Sequence, residues 1–373
     1  MHVLHAYKDF DPPVKGGIET YISRLARIQQ QWGKVSVIVC ARDEPTTLEK
    51  WEGVTILRVC EWGRALSTPI APAFVRWLRT IPADVIVLHV PNPMAETAWL
   101  LAREPACMVV RYHSDVVRQR FTYRAYRPIQ RRVLKRARFI LPTSREYMES
   151  SEVLREFRSV CRVVPLGVDA AQFTPPATEK LDSLRSAYGG EFVFFSGVHR
   201  YYKGLPYLVE AAEQIRAPVV IAGDGPERAR CMKMAESLSV PVYFPGALTD
   251  EDLIAHLHAC AVFVFPSIER SEAFGLSILE AHACAKPVVA TTLDTGVVYV
   301  NRHGETGYNV PPRDPRALAE AVNALLQQKE LCRIMGEQAR RRVEKEFNIH
   351  EIARREWEWY SKAAALHDSV GAP

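Results

Sequence analysis

PSIERSEAFGLSILE, from Pro266 to Glu280, decides how the rest of the chain is read. The apolar run AVFVF (261–265) before it is long enough for one buried strand. After Gly275, residues Leu276, Leu279 and Ala283 recur at helical spacing. The stretch is therefore a strand, a polar loop and a helix that starts near Gly275. Such a helix tip suits a phosphate, because its first N–H groups have no internal partner and carry partial positive charge. Glycine there lets a ligand approach the backbone. Glu272 falls in the loop and Glu280 about a turn and a half into the helix. Both carboxylates can accept hydrogen bonds from ligand hydroxyls. For two glutamates taken alone, a capping Glu272 and a solvated Glu280 are the ordinary reading.

The whole string weighs against that reading. Glu272 and Glu280 enclose seven residues, Phe274, Gly275 and Leu276 among them, and Ala281 follows directly. This resembles the E-x7-E signature of family 4 glycosyltransferases, retaining enzymes of the GT-B fold. The family pattern PS-x-x-E-x-FG-x-x-x-LEA is expected to keep its spacing at every anchor. The fold class expected is α/β, GT-B, with two Rossmann-like doubly wound domains facing a cleft.

Length and composition agree with that class. A chain of 373 residues exceeds what one core usually supports, so two domains are expected. No signal peptide is expected, because Val3 and Leu4 already read as strand, and no apolar run in the sequence approaches the roughly 20 residues of a membrane helix. The eight cysteines are scattered without C-x-x-C or His/Cys ligand spacing. They read as reduced core thiols of a cytoplasmic protein, with no metal site.

Strands are expected at 2–6, 35–39, 54–59, 84–90, 107–113, 138–144 and 161–167, with helical or irregular segments between, one over 18–32. A second series is expected at 192–197, 219–223, 242–246, 261–265 and 288–291, after a Pro- and Thr-containing linker at 172–182. Strands alternating with helices imply mostly parallel sheets, which bind ligands beyond the strands' carboxyl ends. Residues 316–347 and 350–366 read as helical.

Further strings match the family in order. Gly16 and Gly17, in GG-x-E ending at Glu19, match the N-terminal loop whose backbone approaches the donor diphosphate and the acceptor; a tight turn is the plain alternative. His113, in YHSD (112–115), matches a histidine that reaches the donor sugar near the reacting carbon. A lone histidine at a strand end is more often structural, but the resemblance implies a catalytic role for His113 beside Glu272. Asp115 reads as a possible helix cap. SGVHRYYKG (196–204) resembles G-R-x-x-x-x-K-G, whose Arg and Lys pair with the diphosphate. Lys203 and Gly204 match, Val198 stands where the arginine is usual, and Arg200 is its substitute. AGDGPE (222–227) is a glycine-rich strand-to-helix turn, and the resemblance implies that Gly223 lies beside the nucleotide. Ala285, in CAKP (284–287), replaces the usual glycine and is expected to alter packing only.

The resemblance implies an N-terminal acceptor domain (1–170), a C-terminal donor domain (171–347) and a last helix (348–373) packing back on the first. It implies a hexose, mannose in the favoured case, moved with retention from a nucleoside-diphosphate donor to a hydroxyl of a glycan or lipid-linked acceptor. Likeness to bacterial mannosyl- and rhamnosyltransferases of polysaccharide assembly favours GDP-mannose over UDP-sugars. Glu280 would hold ribose hydroxyls. Glu272, with the backbone of Phe274, Gly275 and Leu276, would hold the sugar. No metal or other cofactor is expected. A GT-B nucleotide-sugar epimerase and a catalytically weakened nucleotide-sugar-binding protein are the alternatives, the latter suggested by Val198.

Residues 118–138 hold nine basic side chains and no acidic one. Arg120, Arg124, Arg127, Arg131, Lys135 and Arg138 share one helical face, and Phe121, Ala125, Ile129, Val133 and Ala137 fall mainly on another. No nucleic-acid module accompanies them. A solvated face on a core helix is the plain reading; the segment is read instead as a surface for anionic lipid headgroups or a diphosphate-linked acceptor, which would make the protein peripheral on the inner face of the cell membrane.

Overall fold

Runs of Val, Ile, Leu and Phe form the buried strands of two mostly parallel sheets. The computed structural model describes residues 1–42, 44–65, 68–103, 106–117 and 120–371; the side chains of 120, 121 and 368–371 are not among them. Contacts divide the chain into two units, Met1–Pro165 with Ile349–Pro373, and Leu166–Asn348.

The first unit holds strands β1 (His2–Ala6), β2 (Lys34–Ala41), β3 (Thr47–Trp51), β4 (Val54–Cys60), β5 (Arg64–Ala65), β6 (Thr68–Pro69), β7 (Val85–Val90), β8 (Cys107–Tyr112) and β9 (Phe139–Pro142). Its helices are α1 (Gly17–Gln29), α2 (Ala73–Thr80), α3 (Pro93–Leu101), α4 (Arg120–Arg136), α5 (Arg145–Ser150) and α6 (Glu152–Arg155). The main sheet runs β3-β4-β2-β1-β7-β8-β9 and is parallel except for β3. The second unit holds α7 (Thr178–Ala187), β10 (Val193–Ser196), α8 (Leu205–Ala211), β11 (Val219–Ala222), α9 (Arg228–Leu238), β12 (Val242–Gly246), α10 (Asp250–Ala259), β13 (Val262–Phe265), α11 (Leu276–Ala283), β14 (Val288–Thr291), α12 (Gly296–Val300), β15 (Gly307–Val310), α13 (Pro315–Gln327) and α14 (Lys329–Glu346). Its sheet runs β12-β11-β10-β13-β14-β15, all parallel. Strand order therefore reverses between β10 and β13, and in such sheets ligands bind outside the carboxyl ends of the strands at this point.

The last helix, α15 (Ile349–Gly371), belongs to the first unit. Its Ile352, Tyr360 and Ala363 pack with Val3, Val85, Val87, Val109 and Leu141 of the sheet. Beneath it lies a charged knot. The Arg111 guanidinium forms an ion pair with Glu356, Nε to Oε1 3.0 Å, both side chains fully buried. Tyr21 and Tyr360 donate hydroxyls to the same carboxylate at 2.7 and 2.5 Å. Arg111 also donates to the carbonyls of Leu141, Val164 and Pro165.

That guanidinium explains one departure from the expected strands. Residues 161–167 form only a single bridge, Ile140 to Cys161, because the carbonyls of Val164 and Pro165 turn to Arg111 instead of a neighbouring strand. Three further features were not expected: the exposed edge strand β3, strand β15 with its Gly and Asn, and helix α7 beginning inside the expected linker.

Ala285 is a backbone matter rather than one of packing alone. It follows α11 at φ +54°, with Lys286 N–H bonded to the Ala281 carbonyl. This is a helix end that favours glycine, and alanine pays a steric penalty there of about 1 kcal/mol. Ala285→Gly should raise the melting temperature of the second unit by roughly 2–4 °C in a thermal scan; a fall would contradict this account.

Glu96 on α3 is fully buried, and burial pushes its carboxyl up to about 7 against the Tyr126 hydroxyl and the Asn92 amide. The folded state thus binds more protons than the unfolded between pH 4.5 and about 7. Stability contributed by this group is complete at low pH and is lost as pH rises through that window. Glu96→Gln should stabilise the protein by about 2–3 kcal/mol at pH 8 and hardly at pH 4.5, read from denaturant midpoints at both pH values.

Candidate functional site

The loops after β10, β11 and β13 meet at the reversal of strand order. Gly223 has φ +116°, and a Cβ there would overlap the Gly197 carbonyl. Gly204 has φ +67°, and a Cβ there would overlap the Pro266 carbonyl. Only glycine permits approaches this close, so the 197–204 loop is clamped between its neighbours. Ile268 N–H donates to the Tyr202 carbonyl at 2.8 Å, tying the same loop to the segment after β13.

This clamping joins two residues 69 apart in sequence. Lys203 Nζ donates to Glu272 Oε2 at 2.5 Å, and Ser267 Oγ donates to the same oxygen at 3.2 Å. The ammonium lies 4.9 Å from the Phe265 ring centroid. Both side chains are largely covered, 13% and 12% exposed. Burial pulls the Lys203 pKa down, but Glu272 outweighs it and the net shift is upward. Lys203 therefore stays charged.

One expected spacing is wrong. Four residues separate Ser267 from Glu272, not the two of PS-x-x-E. The extra length forms a turn, with Glu272 N–H on the Glu269 carbonyl, that returns Glu272 to Ser267.

Gly275 caps α11 at φ +92° with no side-chain cap. Phe274 is buried, edge-on to Phe347 at 6.2 Å, and Gly296 N–H bonds to the Ala273 carbonyl. The Phe274 ring is thus committed to the core. Leu276 and Glu280, one turn apart on α11, are half-buried, whereas Ile278 and Leu279 are buried. Val198 is 42% exposed and Arg200 is exposed beside it. Sequence reasoning passed over His199, which is buried against Gly225 and has an Nδ1 without a hydrogen-bond partner.

Three candidates belong to the first unit. Gly16 precedes α1 in extended backbone, and a side chain there would strike the Glu19 carboxylate. Gly17 is exposed. His113 follows β8, its N–H on the Val90 carbonyl, and is 3% exposed. Its Nε2 lies 2.9 Å from His89 Nδ1, and His89 Nε2 lies 3.0 Å from His5 Nδ1. His5 Nε2 lies 2.9 Å from Gln29 Oε1. Burial holds His113 and His89 well below the usual histidine range, with Arg111 adding to the effect on both, so they are neutral at pH 7. Asp115 accepts from Tyr112 and Ser151 at 2.7 and 2.8 Å, tying the end of β8 to the start of α6. A trace of the chain of histidines was visible in the sequence: His5 and His89 interrupt otherwise apolar strands. Among the described residues no group of His, Cys, Asp or Glu is arranged to hold a metal.

Residues 16–167 match the family described as "Glycosyl transferase 4-like domain", and residues 177–342 match "Glycosyl transferases group 1". D-rhamnosyltransferase WbpZ of Pseudomonas aeruginosa is 36% identical over 351 residues, 93% of this chain and 92% of that protein. The chain belongs to the group 1 glycosyltransferases. O-antigen chain mannosyltransferase C of Escherichia coli is 34% identical to this transferase, over 94% of it and 96% of that relative. The fold of the transferase is GT-B. Sucrose-phosphate synthase from Thermosynechococcus elongatus matches it with a TM-score of 0.83 at 23% identity, over 98% of this chain and 99% of that one. Anabaena HepE in complex with UDP matches with a TM-score of 0.79 at 18% identity, over 97% and 100%.

Proposed function

We propose that this glycosyltransferase moves a hexose, mannose in the favoured case, from GDP-mannose to a hydroxyl of a glycan or lipid-linked acceptor during polysaccharide assembly, with retention at the anomeric carbon. The observation that carries the reading is the Lys203–Glu272 pair at the β10/β13 reversal, beside the uncapped tip of α11. A cation and helix N–H groups there stabilise charge growing on a leaving diphosphate. Glu272 accepts from sugar hydroxyls, Glu280 from ribose hydroxyls, and Gly223 with the 197–204 loop gives the phosphates a close backbone. Arg200 supplies the second cation that Val198 does not. His113, Gly16 and Gly17 serve donor sugar and acceptor from the first unit. No metal is required in this scheme. The names of the two relatives, a mannosyl- and a rhamnosyltransferase, support the sugar and the polysaccharide setting.

Incubation with GDP-mannose, GDP-rhamnose and UDP-sugars, with and without lipid-linked saccharide acceptors, tests this. GDP-mannose consumed only with acceptor, giving an α-linked product, is expected. Donor isomerised without acceptor points to an epimerase, and binding without turnover points to a nucleotide-sugar-binding protein; either overturns the reading.

The same proposal puts the protein on an anionic membrane surface on the cytoplasmic side. Helix α4 exposes Arg124, Arg127, Arg131, Arg132, Lys135 and Arg136, which line a groove of about 460 Å³. Its inward face is Tyr126, Gln130, Val133 and Leu134; Ala125, expected there, is exposed. Arg118 lies outside the described residues, as does the side chain of Arg120, and Arg138 follows the helix with a bond to the Leu366 carbonyl. Glu156 neutralises part of the patch through Arg127 and Arg131. Among the described residues no helix is long and apolar enough to cross a membrane. Liposome binding should require acidic lipid, weaken with salt and fall at least tenfold in Arg124→Glu/Arg132→Glu, at about 1 kcal/mol per charge. Unchanged binding by that variant would discard the surface.

A further inference from the structure

Gln29, His5, His89 and His113 form one unbranched chain of hydrogen bonds, 2.9, 3.0 and 2.9 Å long, in the first unit. All four side chains are buried. Two atoms at its ends, Gln29 Nε2 and His113 Nδ1, are buried without a hydrogen-bond partner. A neutral imidazole has one N–H and one lone pair, so each ring in such a chain must point its proton the same way. One end therefore dictates the other.

At the Gln29 end the contact is through the amide oxygen, which can only accept. His5 must then carry its proton on Nε2, leaving Nδ1 to accept from His89 Nε2–H. His89 Nδ1 in turn accepts from His113 Nε2–H. His113 Nδ1 is left as a lone pair. We infer that Gln29, His5 and His89 are positioning residues that hold His113 in the Nε2–H tautomer, keeping Nδ1 as a bare acceptor for a hydroxyl of the bound sugar. This rests on the proposal above that His113 meets the donor sugar.

The fixed charges of the unit favour the same polarity. Every N–H in the chain points from His113 toward Gln29, so the positive end lies on the His5 side and the negative end at His113 Nδ1. Glu356 acts on His5, and Arg111 acts on His89 and His113. An anion near the proton-rich end and a cation near the lone-pair end both lower the energy of this arrangement and raise that of its reverse. Turning the Gln29 amide over would invert every bond and place N–H, not a lone pair, on His113 Nδ1. Amide orientation is thus the alternative to be distinguished.

The test is ¹⁵N NMR of the whole protein labelled at histidine, which separates protonated from bare ring nitrogens. His5, His89 and His113 should each show Nε2 protonated and Nδ1 bare. A protonated Nδ1 on His113 in the wild type overturns the inference without any variant. In Gln29→Met, which removes the oxygen but keeps the bulk, His113 should populate both tautomers and kcat/KM should fall up to roughly tenfold, the worth of one neutral hydrogen bond. A single, unchanged His113 tautomer in folded Gln29→Met also overturns it. Mixed tautomers with unchanged kcat/KM uphold the chain and instead remove His113 from the donor site.

Discussion

Glu272→Gln is expected to lower kcat on the order of a hundredfold, measured well below the melting temperature with saturating donor. The reasoning is electrostatic. In the structure Glu272 is the counter-charge of Lys203 at 2.5 Å, with Ser267 on the same oxygen. In the proposed reaction Lys203 turns toward the departing diphosphate while Glu272 takes hydroxyls of the sugar. A neutral amide loses charge-assisted acceptance, which is about twice as strong as the neutral kind, and leaves Lys203 largely covered without an anion. The pair is not sealed from water, so the stability loss is smaller than for a fully buried pair, and a fall in melting temperature of a few degrees is expected. Glu280→Gln, assigned to the ribose, should act mainly on donor KM. A kcat for Glu272→Gln within threefold of wild type would remove this carboxylate from the chemistry.

The second large effect is on folding. Glu356→Ala should destabilise the first unit by about 3–5 kcal/mol, because it strands the fully buried Arg111 guanidinium. Tyr21 and Tyr360 lose their acceptor as well. Pairing the change with Arg111→Met removes the orphaned charge, and the double variant should recover much of the loss. Denaturant titration of the three variants checks this. A loss below about 1 kcal/mol for Glu356→Ala would show that Arg111 is held by the carbonyls of Leu141, Val164 and Pro165 alone.

What the sequence made legible, and what it hid, follows from the range of the interactions involved. The strand–loop–helix around Glu272 is local, and β13 and α11 fall where periodicity puts them. β3 carries few apolar residues because it is an exposed edge, and β15 contains glycine and asparagine, so neither shows as an apolar run. Residues 161–167 look like a strand because nothing nearby reveals that Arg111 will take their carbonyls. The Lys203–Glu272 contact and the histidine chain depend on strand order. His5, His89 and His113 become neighbours only when β1, β7 and β8 lie side by side.

The position of α15 has a consequence for synthesis. Residues 166–348 are contiguous and can close their own sheet as soon as they leave the ribosome. The first unit has all its strands before residue 165 but cannot complete its core. Its 165 leading residues are made first yet lack Ile352, Glu356 and Tyr360 until the segment beyond 348 has emerged. Folding during translation should therefore finish in reverse of the usual N-to-C progression, with the leading half waiting, Arg111 uncompensated, for its closing helix.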